Sequence, residues 1–596
     1  NRIAGIEKTT IVANKIDNAG IIGGSGKTYL EADEILNKSI GNSQAEIKGF
    51  DVELIGKNSI INQGSKIFTR NNLNLISNEN IFNRTTIKGF NYNFGELNRT
   101  RHTELENISE ISANNLNIFA KNYSSIAAIT RAINTNIEAI NVNIEGLKLS
   151  GEQKFGKDDN NFNSYAFVRN VGSQLETENL SISADNLNIL GSTVIADNAL
   201  IDAKVLIKSE VDSEDRESRS KQKGFLSSKS KKEKVHDEEN SESNLYVKNQ
   251  GIIAKDIDVV GSNLILGDNS QVLGKLTTDS IALNSTYSYE ESKKGFSGSI
   301  GSGGLSVGYG KSESKLKEKD LTNAKSNLVL GDNVTLNKGA EITATNFKHG
   351  NIEINNGNIT YGARKDVKDI ETSSKSSGIN LSVRIKSPAL DRAKQGIDSF
   401  NQMKSGDILG GIASTTNTVT GIVSGLASNQ GTKLPTSAVN KNNSNDDDDD
   451  DDKNNQTNTV GKDNLKAAQA NNNFYANIGV NLGFNKSSSK SNSHSESAVV
   501  TTIKGKDENS SITYNDVKNV EYVGTQAQDT KFIYNNVENI NKTAVELNNS
   551  YSSTGKSSGI STGVTIGYGD GTQTEFNGVS ISASKSNMNS NGTTYQ

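Results

Sequence analysis

The 596-residue sequence predicts an all-β chain, a right-handed parallel β-helix (solenoid) with projecting β-hairpins and a helical insert, and three observations carry that reading. Short runs alternate apolar and polar residues, as in NLNLIS (72–77), NLNIFA (115–120), NVNIEG (141–146) and NLVLGDNVTL (327–336). A period of two over so few residues means short strands with one buried face. The runs also return after about 20 residues: Leu116 as Ile137, Leu180 as Leu200, Leu187 as Ile207, Ile257 as Leu276, Leu264 as Leu283, Leu328 as Phe347. Self-similarity at that length marks a stacked repeat. Third, only 33% of residues are hydrophobic and 6% aromatic, with no Trp and two Pro, which suits one thin continuous core and not several thick ones.

In chain order, residues 1–386 read as β-helix repeats broken by excursions near 150–172, 209–243 and 286–322. Asn supplies left-handed corners and side-chain ladders between rungs. The excursions share a composition: YSYEESKKGFSGSIGSGGLSVGYGKSESK (287–315) resembles residues 551–586, and FYANIGVNLGFNKSSSKSNSHSES (474–497) and residues 214–234 are shorter relatives. Gly or Ser alternating with Ile, Val, Leu, Phe or Tyr is hairpin spacing, bordered by solvated Ser, Lys and Glu, so hairpins or mobile loops leaving the rod are expected. Residues 387–470 read as a helical insert plus a disordered acidic linker. There Ser387-Pro388 is an N-cap followed by proline at the first helical position, and Leu390, Ala393, Ile397, Phe400 and Met403 share a helical face. Asp446 to Asp452 repel one another and stay hydrated. Residues 471–596 return to hairpin excursions and further rungs.

Several function classes are weakened by composition. A net charge of −5 gives no electrostatic case for nucleic acid, and zero cysteines removes disulfides, thiolate zinc sites and cysteine nucleophiles. GGSGKT (23–28) suggests a phosphate-binding loop, but that motif needs a glycine where Ile21 stands, so a glycine-rich corner is the better account. The four histidines, His102, His236, His349 and His494, are far apart in sequence and read as solvated residues. A β-helix could align two carboxylates for polysaccharide cleavage, yet no pair stands out. No catalytic, cofactor-binding or metal-ligating residue is assigned, and no cofactor is expected. Beginning at Asn1 without a leader, the chain reads as an internal or processed piece of a longer polypeptide.

The run SSKSSGINLSVRIKSPALDRAKQGIDSFNQMKSGD, the later NIGVNLGFNKSSSKSNSHSESAVVTTIKGKDENSSITYNDV and the ending VSISASKSNMNSNGTTYQ carry a family likeness. They resemble the haemagglutinin-repeat region of two-partner-secretion, filamentous-haemagglutinin-like exoproteins of Gram-negative bacteria, a group that includes adhesins and contact-dependent growth-inhibition toxins. Val537-Glu538-Asn539-Ile540 misses the VENN motif that precedes many of those toxins. The resemblance implies a non-enzymatic filament at the cell surface or outside the cell, exported through an outer-membrane β-barrel transporter. Its expected contact is a host or bacterial cell-surface receptor, with a target-cell membrane as a further partner of the helical insert. Adhesion leads; a stalk or translocation role in toxin delivery is the alternative, and a polysaccharide-cleaving enzyme stands third.

Overall fold

The structure is a computed structural model that describes residues 2–301, 304–382, 476–569 and 571–596. Among the described residues every regular element is a β-strand. The expected helical insert and acidic linker at 387–470 lie outside the described residues.

Two pairing patterns divide the strands. In the first, short strands stack in parallel and in register, forming three ladders. One runs through Leu245, Leu264, Leu328, Phe347 and Ile503. A second passes Ile253, Val272, Leu336, Ile354 and Tyr514. The third joins Val259, Thr278, Ile342, Tyr361 and Tyr522. Every second side chain of a strand points inward, so one rung buries Leu328, Leu330, Val334, Leu336, Ala340 and Ile342, and the rungs merge into one core that runs from Ile16 to Tyr522. Each fully buried Leu or Ile contributes roughly 1.5–3 kcal/mol, which is how a chain poor in hydrophobic residues sustains a long core.

Polar residues close the rungs. Buried Asn18, Asn37, Asn62 and Asn83 form an inward amide ladder with links of 2.7, 2.8 and 2.9 Å. An outward ladder joins Asn72, Asn115, Asn134, Asn179 and Asn198 at 2.7–3.1 Å. Left-handed corners are taken by Asn269, Asn333, Asn356 and Asn536, with φ of 57–59°. A buried hydroxyl column, absent from the sequence reading, lies at the corner that opens successive rungs from Ser173 to Ser326. The Ser173 amide donates to Ser192 Oγ at 3.0 Å, Ser192 to Ser243 at 3.3 Å, Ser243 to Ser262 at 3.3 Å and Ser262 to Ser326 at 3.2 Å.

The second pattern takes in the stretches expected to be hairpins or mobile loops leaving the rod. The excursions are strands of one antiparallel sheet. Thr86–Asn93 and Asn98–Asn107 pair, and the second pairs in turn with Leu147–Asp158. Pairing continues through Asn161–Val171, Glu210–Lys223, Ser227–Ser241, Ile281–Gly301 and Gly304–Ala324. It ends with Asn358–Ser382, Ala476–Val500, Glu546–Gly569 and Gly571–Tyr595. Neighbouring excursions thus satisfy each other's backbone edges, which isolated hairpins would leave open. A small apolar cluster of Val500, Val545 and Leu547, packed against Ala363, Ala498 and Val523, anchors the last strands to the stack.

Candidate functional site

The glycine-rich stretch at 23–28 is structural. Gly23 has φ +104°, and a Cβ on Gly24 or Gly26 would lie 2.1 Å from the Gly5 carbonyl oxygen or 1.9 Å from that of Glu7. Rung contact therefore demands glycine there. Thr28 is buried with its hydroxyl donating to the Lys48 carbonyl at 2.7 Å, Lys27 pairs with Glu53 at 2.9 Å, and the segment that follows is the strand Lys27–Lys38. A phosphate loop would need a helix N-terminus here.

The histidines divide between the two regions, and two depart from the expectation of solvated residues. His349 is buried inside the stack beside Phe347, with Nδ1 2.7 Å from the Gly350 carbonyl and Nε2 3.0 Å from Thr530 Oγ1. Burial holds its pKa below the usual 6.5. His102 lies in a sheet strand, 3.0 Å from Glu104 and stacked on Phe90. His236 sits between Asp215 at 2.8 Å and Glu238 at 3.6 Å, and the Asp215 hydrogen bond raises its pKa. His494 repeats that arrangement with Asp369 at 2.7 Å and Glu496 at 3.9 Å. In both clamps the carboxylates take opposite ring nitrogens, which leaves no shared point for a metal. No group of three or more metal-ligating side chains occurs among the described residues.

Carboxylates in the sheet are engaged by cations, some along the same strand and some across to the next. Glu214 takes Arg169 and Arg216, Glu217 takes Arg219 at 2.7 Å, Lys368 binds Glu318, and Lys365 meets Glu496 at 2.9 Å. Glu145, at the root of the sheet, has its pKa raised by burial and then by the charge of Glu210, which itself pairs with Lys148 at 2.7 Å. A glycosidase needs two carboxyls free across an open cleft. These are bound into the sheet's own lattice.

What the sheet offers is surface. Its strands are mostly half-buried near the stack, with charge on both faces, and change toward the far ends to Gly, Ser and apolar residues. Phe296, Ile379, Leu482, Phe484, Ile560 and Ile581 are all exposed. A two-sided strand of this kind is what the Ser, Lys and Gly alternation encodes.

Comparison with known families falls on this region. Residues 307–421 and 482–596 match the hemagglutinin repeat. In the sheet, Val307 pairs with Leu381 and Leu381 with Leu482, so both matches begin in one row of the far part of the sheet. From there the described part of each match descends a sheet strand, contributes rungs to the stack and climbs again, along Asn358–Ser382 in the first and Glu546–Gly569 in the second. The described part of each match thus takes in stack and sheet together. Neither a curated protein nor a solved structure matches the chain.

Proposed function

We propose that this chain is a segment of a secreted or surface-displayed, filamentous-haemagglutinin-like adhesin. In this reading the stack is a right-handed parallel β-helix that supplies reach, the sheet supplies contact area, and no reaction is catalysed. Export runs through an outer-membrane β-barrel transporter of the two-partner type, and the target is a receptor on a host or bacterial cell. The observation that carries the proposal is the match to the hemagglutinin repeat occurring twice, each time over a described stretch that descends from sheet to stack and returns. Beads coated with the chain and mixed with cells test it. Attachment well above that of an unrelated β-helix is expected, and attachment equal to it would remove adhesion as the function.

A further inference from the structure

The far half of the sheet holds an ordered amphipathic row. Phe296 pairs with Tyr309, Tyr309 with Ile379, Ile379 with Phe484, Phe484 with Ile560, and Ile560 with Ile581. Directly paired residues share a face, so six apolar side chains line up across six strands, over about 24 Å at ~4.8 Å per strand. All six are exposed, Ile581 at 75%. The reverse face at this level carries Gly295, Gly310, Gly378, Asn485, Gly559 and Ser582.

Charge is graded along the strands. Two residues nearer the stack, on the apolar row's own face, stand Lys294, Lys311, Ser377 and Lys486. Two residues further in come Glu313, Lys375, Ser488, Lys556 and Lys585. Glu313 is held by Lys311 at 2.7 Å, and the Lys294 ammonium lies 6.0 Å from the Tyr309 ring centre. The face therefore runs from apolar to cationic in one direction only.

We propose that this face docks on a bilayer surface bearing anionic headgroups. The apolar row enters the boundary between headgroups and acyl chains, and the lysines behind it lie at the depth of the phosphates. A second copy of the chain fits less well. It would bring no carboxylates to match the lysines, since Glu313 is the one acid in the two cationic rows and is already paired. A bilayer supplies both the apolar layer and the anionic one, in that order. This contact uses only strands of the sheet and goes beyond receptor adhesion.

The test is flotation of the full chain with vesicles of phosphatidylcholine alone or mixed with phosphatidylglycerol. Binding should favour the anionic vesicles by about tenfold or more and weaken as salt rises. The pair Ile379→Ser and Phe484→Ser should lower it by about tenfold, because lysines alone hold a surface weakly. Lys311→Gln with Lys486→Gln should lower it without touching the apolar row. As the chain has no tryptophan, Phe484→Trp gives a single fluorescent reporter, expected to be quenched by lipids brominated on their acyl chains. Serine variants that float like the parent, or an indole signal from the Phe484→Trp variant that stays unquenched on bound vesicles, would overturn the proposal. So would concentration-dependent dimerisation that the serine variants abolish in the absence of vesicle binding. Bead attachment to cells through a protein receptor would survive any of these results.

Discussion

Leu264 and Ile560 are both aliphatic residues in mid-strand, but Leu264 is wholly buried between Leu245 and Leu328, whereas Ile560 stands half in solvent between Phe484 and Ile581. The two positions stand for the two regions of the molecule. In the stack, parallel strands close around an interior and each inward side chain touches others above and below. In the sheet, antiparallel strands form a layer with water on both faces, and cohesion comes from backbone pairing and cross-strand charge. Burial makes sequence strict in one region; its lack makes sequence permissive in the other.

Four measurements bear on this contrast. The largest effect is expected from Leu264→Asp, which buries a carboxylate without a partner and should cost about 4 kcal/mol or more, while Ile560→Asp costs less than about 0.5. Hydrogen exchange of the rungs around 262–266 and of the sheet strands reads both; equal losses would dissolve the distinction. Asn62→Ala comes next. Its amide, fully buried, donates to Asn83, Ser65 and Ser109, so its removal should cost about 2–3 kcal/mol by stranding those groups. Asn115→Ala, in the outward ladder, should cost at most about 1 kcal/mol, and urea unfolding distinguishes the two.

Acidification should act on the two regions with opposite sign. His349 in the stack has a folded pKa below 6.5, so its neutral form belongs to the native state, and stability is lost as pH falls through 6.5 toward that lower value. His236 in the sheet has a folded pKa above 6.5, so its contribution is complete below 6.5 and fades as pH rises through the folded value. Exchange rates on either side of 6.5 should therefore shift in opposite directions around the two residues, and His349→Gln should erase the stack's part. Smallest of all, Ser376→Ala, which removes a 2.7 Å hydroxyl contact with Ser487 on the sheet surface, should move stability by no more than about 0.5 kcal/mol. A larger loss would mean that serine ladders hold the sheet together.

The same contrast explains which parts are legible in sequence. Ile257 does stack on Leu276 and Leu328 on Phe347, because nothing interrupts the chain between those rungs. Leu116 stacks on Thr135, two residues short of Ile137, and Leu187 on Val205, two short of Ile207. Inward positions repeat every second residue, so a slip of two keeps the apolar pattern intact and hides in sequence. Leu180 stacks on Ala199; Leu200, one residue on, is 52% exposed, an apolar residue on the outer face that draws the alignment off by one. Leu283, the sequence match for Leu264, belongs to a sheet strand; the true partner, Leu328, lies beyond the whole excursion. The excursion at 86–107 escapes sequence reading altogether, since TIKGFNYN and its partner lack the Gly and Ser alternation of the others. Lateral joining of the excursions leaves no trace because strands wet on both faces carry no buried stripe to align. One signal does announce the hydroxyl column: Ser-Asn-Leu at 243–245, 262–264 and 326–328 puts its serine two residues ahead of the first core side chain.

That column works as punctuation. Ile281 and Ala324 are paired across the base of one excursion, and Ser326, just after it, resumes the column beneath Ser262 as though the intervening residues had not been translated. A rung is indifferent to how much chain was spent between its predecessor and itself, provided the return lands on a small hydroxyl. Excursions of this protein can therefore lengthen or shorten while the rungs keep their reading frame, so that the sheet is free to change size without disturbing the stack that carries it.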